Sequence, residues 1–441
     1  MKKILFILIL ILLNTANSVC AEEVELVFDE NFQKQTLSIE KTDRLRLGGR
    51  SDVDQQCHSE LDSESINFNK IAINETEIEN VTPAHPLETS SPANTHSKFF
   101  NGISQSAHNL YNLKIDNTDA PSALFKEQLT KHFDKGPIES FHTWGVIQSN
   151  FDTTIPESGD GNTRFNVGLI NVLFDAQTRE GKDNFRLMLD VTHQHNRPFM
   201  QQFVQDAYYE TKRIPHHSIL FGNSRPGVGY EGAQSPYTLP FVNRSQISRN
   251  LANVRKVGLR VRGDYSFIDY DFGGYSSDTF FSEFMPGVEF DGWVNLKPLA
   301  KTNGKYGKLT TGGGIVAGNR NSTDYFVGGA YVGYTYKKFW TRMEYAISDG
   351  SNGGSGLTDK KRQGWYVTLG YHITKKLEIL ARYDEFDPDR TISGNNQREY
   401  TAGINYYIKG QALKLILNYI YCQNETRPDS HRILVGTQIA L

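Results

Sequence analysis

The feature that most constrains this chain is a period of two. From about Ser140 to the last residue, apolar side chains recur at every second position. Leu377, Ile379, Ala381 and Tyr383 alternate with Glu378, Leu380, Arg382 and Asp384. Leu413, Leu415, Leu417, Tyr419 and Tyr421 alternate with Lys414, Ile416, Asn418 and Ile420, and Phe185, Leu187, Leu189 and Val191 with Arg186, Met188, Asp190 and Thr192. Successive side chains of a strand point to opposite faces, so each run carries one apolar and one mixed face. The runs reach about 9–11 residues, the length of a tilted strand that crosses a bilayer, whereas soluble strands average about 5–6. The pattern predicts about sixteen strands, the weakest near Phe290 and the last from His431 to Leu441.

The connections sharpen this reading. Gly263-Asp264, Lys337-Lys338, Thr374-Lys375-Lys376 and Lys409-Gly410-Gln411 read as tight turns, while Ser348 to Arg362, Asp387 to Gln397 and Gln423 to Ser430 read as longer polar loops. Short turns at one rim and longer loops at the other are a habit of outer-membrane barrels. Lys297 to Gly307 breaks the alternation, because a short turn belongs there. The expected fold is therefore all-β: a transmembrane antiparallel β-barrel of about sixteen strands over residues 136–441.

The N-terminus supplies the export route. Lys2 and Lys3 precede an apolar run from Ile4 to Leu13, and small residues lead to Ala21. This describes a secretory signal peptide, residues 1–21, cleaved after Ala21. Residues 22–135 differ from the rest. Asp52 to His96 is rich in Ser, Asn, Glu and Thr, and such a tract buries too little surface to offset its ordering entropy. It reads as a largely disordered periplasmic segment. Leu124, Phe125, Leu129 and Phe133, at helical spacing, fit either a short helix at its end or a frayed connector.

Composition agrees at two points. The chain is 38% hydrophobic, too polar for a bundle of apolar helices, but barrel strands show only one face to lipid. Its 22 Tyr and 26 Phe suit aromatic girdles at the two membrane interfaces. A net charge of -3 in 441 residues argues against a nucleic-acid partner, and Cys20, Cys57 and Cys422 make neither a disulfide framework nor a metal signature.

Charge is informative only locally. The longest connection inside the barrel, Ser224 to Ala252, holds Pro226, Pro236, Pro240, Gly227, Gly229 and Gly232 and predicts an irregular loop. Loops this long in a compact fold are usually functional. From Asn223 to Gly263 the basic residues are Arg225, Arg244, Arg249, Arg255, Lys256, Arg260 and Arg262, and Glu231 is the only acid. With Val257, Leu259 and Val261 facing lipid, Lys256, Arg260 and Arg262 face the lumen. Arg and Lys in a confined channel select anions, so Arg225, Arg244, Arg249, Lys256, Arg260 and Arg262, with Arg342 and Arg382 on later strands, are candidate pore-lining and anion-binding residues. The mixed signs of Arg342, Glu344, Glu378, Arg382, Asp384, Glu399 and Lys414 fit instead a weakly selective, water-filled pore.

An enzyme is not expected. The chain has no Gly-x-Ser-x-Gly elbow and no HExxH helix; His193, His195, His216 and His217 make no known catalytic pattern. An adhesive barrel is a third possibility. Asp384, Glu385, Asp387 and Asp389 are acidic enough to suggest calcium, but Pro388 restricts their convergence. No cofactor is expected.

Two stretches resemble the phosphate-selective porin O and P family. They are Phe221-Gly222-Asn223-Ser224-Arg225-Pro226-Gly227, and Ala381-Arg382-Tyr383-Asp384-Glu385-Phe386-Asp387-Pro388-Asp389 followed by Arg398-Glu399-Tyr400-Thr401-Ala402-Gly403-Ile404-Asn405-Tyr406-Tyr407. The resemblance covers roughly residues 136–441. It implies a sixteen-stranded homotrimeric channel in the bacterial outer membrane, in contact with its lipid, passing phosphate, polyphosphate or other inorganic anions.

Overall fold

The structure is a computed structural model and describes residues 124–192, 203–279, 283 and 285–441. The signal peptide and nearly all of the polar segment lie outside these residues.

A three-residue strand, β1 (Thr130–His132), precedes the barrel. The first wall contains β2 (Ile138–Pro156), β3 (Asn162–Thr178), β4 (Asp183–Asp190), β5 (Val204–Thr211) and β6 (His217–Ser224). It continues through β7 (Lys256–Asp264), β8 (Ile268–Ser276) and β9 (Val288–Leu296). The rest is β10 (Lys308–Arg320), β11 (Thr323–Tyr336), β12 (Phe339–Gly353), β13 (Gly356–His372), β14 (Leu377–Asp387), β15 (Gln397–Lys409), β16 (Leu413–Asn424) and β17 (Ser430–Ala440). From β2 onward each strand pairs antiparallel with the next, and β17 pairs back onto β2 from Ser430↔Pro156 to Ala440↔Val146. The sheet is a closed sixteen-stranded barrel, as the alternation predicts. The seam continues to the last residue, where the Leu441 N–H donates to Gly145 O at 2.8 Å.

The alternation places side chains as expected. On β16, Leu415, Leu417 and Tyr419 are exposed on the outside, while Lys414, Asn418 and Ile420 are buried within. On β7, Val257 and Leu259 face out and Lys256, Arg260 and Arg262 face in. Outward aromatics form two belts. Trp365, Tyr383, Tyr400, Tyr421 and His431 form a row of ring contacts across β13–β17, tilted, edge-on and stacked, with ring centroids 5.0–6.1 Å apart. Tyr336, Phe339, Tyr371 and Tyr406 lie toward the rim that carries the chain ends. Tyr400 and Tyr406 are six residues apart on β15, about 20 Å along the strand at ~3.3 Å per residue.

Two local expectations are corrected. Residues 124–129 form turns rather than a helix, and Thr130–His132 pair with Ser140–His142 of β2. The spacing fails because Leu124 packs on the Trp144 cluster while Phe125 and Leu129 stay exposed, so no common face is buried. Ser348 to Arg362 is no long loop: β12 and β13 stay paired to Gly353↔Gly356. Its Gly- and Ser-rich composition mimics a loop but serves a bent hairpin, with Gly350 at φ 68. The strand expected near Phe290 is present as β9, paired on both edges. The 297–307 connection is long, as the sequence indicates, and joins strands at the rim of the chain ends.

The register makes a firm prediction. Leu417→Arg puts a cation on the lipid face in mid-strand, which costs about 2–4 kcal/mol near the bilayer midplane. Denaturant titration of folding into vesicles should show that loss; wild-type stability would mean that Leu417 faces the lumen.

Candidate pore constriction

The connection from β6 to β7, residues 225–255, folds into the barrel and crosses it. The sequence predicts an irregular loop, but it holds two short helices, α1 (Tyr230–Ala233) and α2 (Gln246–Leu251), and a 3-10 turn at Pro236–Thr238. A segment inside a lumen must find partners for its backbone groups. These come from side chains on the opposite wall, which hold the loop in place. On β12, Glu344 accepts from the Tyr230 and Glu231 N–H groups at 2.7 and 3.2 Å. On β14, Asp384 accepts from the Gln246 N–H at 2.8 Å. On β16, Lys414 donates to Tyr237 O and Leu239 O, and Asn418 accepts from the Val242 N–H at 2.9 Å. On β15, Asn405 donates to Pro240 O at 2.8 Å. Gln148 of β2 and Gln438 of β17 donate to Pro236 O and Tyr237 O.

Apolar contacts reinforce these bonds. Ile247 and Leu251 of α2 join Val316, Tyr325, Val327, Tyr366 and Phe386 in one buried cluster, and Phe241 packs with Trp340 and Leu380. The β12–β13 hairpin closes over α2: the Gly354 N–H donates to Ala252 O at 2.8 Å. A Cβ at Gly353 would lie 2.5 Å from Asn250 O, so the hairpin comes this close only without a side chain.

Between the loop and β3–β7 lies a cavity of about 90 Å³. Its wall includes Arg186, Arg225, Arg255, Arg260 and Arg262, with Asp206 as the one carboxylate among the described residues and Tyr208 and Tyr237 beside them. Most of these arginines are paired from behind. Arg186 binds Asp175 at 2.6 and 3.0 Å, Arg255 binds Asp206 at 2.7 Å, Arg260 chelates Asp271, and Arg262 bonds to Glu210. Arg225 is held by neutral acceptors, Asn253 Oδ1 and Gly232 O. The cluster thus carries one more guanidinium than its carboxylate partners balance.

The eight nominated residues separate accordingly. Arg225, Arg260 and Arg262 line this cavity. Arg244 donates to Glu231 O and Gln234 O and shapes the loop from within. Arg249 ties α2 to Glu399 of β15 at 2.8 Å. Lys256 is buried on Glu289 with its ammonium 5.9 Å from the Tyr325 ring. Arg342 sits over the Trp340 and Tyr230 rings at 4.4 and 4.9 Å. Arg382 reaches Asn243 O and lies over Phe241. The one-signed charge of the sequence window is therefore corrected: the balancing acids stand on other strands, Asp206 and Glu210 on β5, Asp271 on β8, Glu289 on β9 and Glu399 on β15. Arg186 is a cavity residue that the window missed, yet its place between Phe185 and Leu187 already marks it as inward.

The other chemical candidates do not assemble. Asp384 points into the lumen while Glu385 bonds to Arg398, so the acidic stretch does not converge. His217 bonds to Pro215 O and Tyr270, and His193 and His195 lie outside the described residues. Among the described residues no group of three or more His, Cys, Asp or Glu side chains could hold a metal ion.

Residues 300–439 match the family model described as phosphate-selective porin O and P. The last third of the chain carries that porin family's pattern. The acidic-turn stretch from Ala381 to Tyr407 lies inside the match, and Phe221–Gly227 lies outside it. Among solved structures, the porin fold is shared with the anion-selective porin from Comamonas acidovorans, at a TM-score of 0.53 and 12% identity over 68% of this chain and 99% of that one. It is also shared with the outer membrane channel DcaP of Acinetobacter baumannii, at 0.51 and 10% over 70% and 99%. Pseudomonas putida OprB follows at 0.51 and 9% over 68% and 94%. No curated protein matches the chain.

Removing the wall acceptors should loosen the constriction. In Glu344→Ala, two buried N–H groups lose their partner, at about 1–3 kcal/mol each. Single-channel recording should then show a larger and noisier conductance; an unchanged trace would mean that Glu344 does not hold the loop.

Proposed function

We propose that this chain is an outer-membrane diffusion channel that favours anions, exported behind a signal peptide cleaved after Ala21, and that residues 22–135 form a periplasmic segment ahead of the barrel. The observation that carries the reading is the arginine-lined cavity beside the inward loop. Planar guanidinium groups replace the hydration of an oxyanion with paired hydrogen bonds, and in a confined space few water molecules compete. The family's description and the anion-selective neighbour support anions, phosphate-like ones included, as the solutes. A weakly selective pore is the second reading. It is favoured by the carboxylates behind Arg186, Arg255, Arg260 and Arg262, which cancel most of the field at a distance.

Self-association as a homotrimer belongs to the proposal. Strands β4–β9 have only 8–9 residues, against 11–19 elsewhere in the barrel. Eight residues tilted by ~45° rise about 19 Å, less than the ~25 Å apolar band. Outward Phe221 and Phe290 on this short wall are among the most exposed apolar side chains, at 63% and 64%, and a neighbouring copy would cover them.

Planar-bilayer recording tests the channel. In a salt gradient the reversal potential should show anion preference, and added phosphate should reduce chloride current. Arg225→Gln removes the guanidinium that lacks a carboxylate partner, so it should move the reversal potential toward zero selectivity without unfolding the barrel. A cation-selective wild type would contradict the proposal.

A further inference from the structure

The rim that carries the chain ends is electrically uneven. Across β9–β16 its four connections, 297–307, 337–338, 373–376 and 410–412, and the strand ends beside them contain no acidic residue except Glu378, which is buried. They expose Lys301, Lys305, Lys337, Lys338, Lys375, Lys376 and Lys409. Elsewhere on this rim acids stand among the bases: Glu127, Asp134, Glu139 and Glu180 among Lys131, Lys135, Arg179 and Lys182, and Arg213 of the β5–β6 turn pairs with Glu180 and Asp183.

These lysines adjoin the outward face. The Lys337 ammonium lies 5.0 Å from the Tyr336 ring and the Lys305 ammonium 5.2 Å from the Tyr306 ring. Lys338 donates to Ile373 O at 3.0 Å, next to outward Ile373 and Tyr371. Outward Ile408 adjoins Lys409. Rings at the edge of an apolar belt mark the water interface, and lysine stems lie along such surface with the ammonium at headgroup level.

We propose that this half of the rim binds the phosphate groups of anionic lipids in the adjoining leaflet. The inference rests on the membrane-spanning reading and adds a lipid-binding arc to it. Basic residues near an anionic surface draw it in over about one Debye length, so contact with the ring-flanked lysines is favoured where the leaflet is charged. A soluble anionic wall polymer is the competing partner, but it would not require lysines set against outward aromatic rings.

The test uses the full chain, folded in detergent and equilibrated with equal amounts of phosphatidylglycerol and phosphatidylcholine. Retained lipid is counted by native mass spectrometry. Wild type should retain phosphatidylglycerol in several-fold excess. The combined Lys337→Gln, Lys338→Gln, Lys375→Gln and Lys376→Gln variant should lose most of that excess, and Lys131→Gln with Lys135→Gln should keep it. Equal retention by wild type and the fourfold variant overturns the proposal. So does a fourfold variant that changes ion selectivity but not bound lipid, which would assign these lysines to the pore mouth. Lipid-independent capture of an anionic polysaccharide overturns it as well. Conductance of the same samples reports separately whether the barrel spans a membrane.

Discussion

The structure depends on closure of one hydrogen-bonded ladder. A hydrocarbon layer offers no partner to a free N–H or C=O, so a sheet in that setting must have no edge. The pairing of β17 with β2 removes the last edge, and it uses the chain to its end: Leu441 bonds to Gly145, and the Leu124 N–H donates to Ala440 O at 3.0 Å. Once the ladder is closed, the period of two decides everything facing outward or inward. Every second residue meets lipid, and its neighbours meet water or the loop.

Closure creates a second problem, that of charges on the inner face. The barrel solves it by pairing across strands. Asp175 on β3 faces Arg186 on β4, Glu210 on β5 faces Arg262 on β7, and Asp271 on β8 faces Arg260 on β7. Breaking a buried pair leaves an uncompensated charge, so each pair also ties its strands together. The loop uses the same resource. Glu344 and Asp384 spend their acceptor capacity on loop N–H groups, and Lys414 spends its donors on loop carbonyls. On the proposed function, what is left to act on a passing ion is a small excess of positive charge around Arg225, beside a cavity already shaped by paired arginines.

Much of this was legible from the sequence. The sixteen strands follow from alternation, because one-sided burial leaves a mark at every position. The inward direction of Lys256, Arg260 and Arg262 follows from the same rule. The partners of those residues were not legible, since Glu289 on β9, Asp271 on β8 and Glu210 on β5 reach β7 through pairings whose register no local pattern states. Short helices inside the loop were also hidden: α1 and α2 are held by wall acceptors more than a hundred residues away along the chain. At Ser351 to Gly356 composition misled, because glycine there permits close packing on α2 rather than disorder.

The central claim is that the loop rests across the lumen in the functional channel. A Cβ added at Gly436 would lie 3.0 Å from Val242 Cγ2, which suits a cysteine pair. In a Cys57→Ser, Cys422→Ser background, Val242→Cys with Gly436→Cys should form a disulfide spontaneously in the folded barrel. Single-channel conductance should then be the same before and after reduction, because the bond fixes the loop where it already lies. A pair that fails to form, or a conductance that rises on reduction, would show that the working channel holds this loop elsewhere.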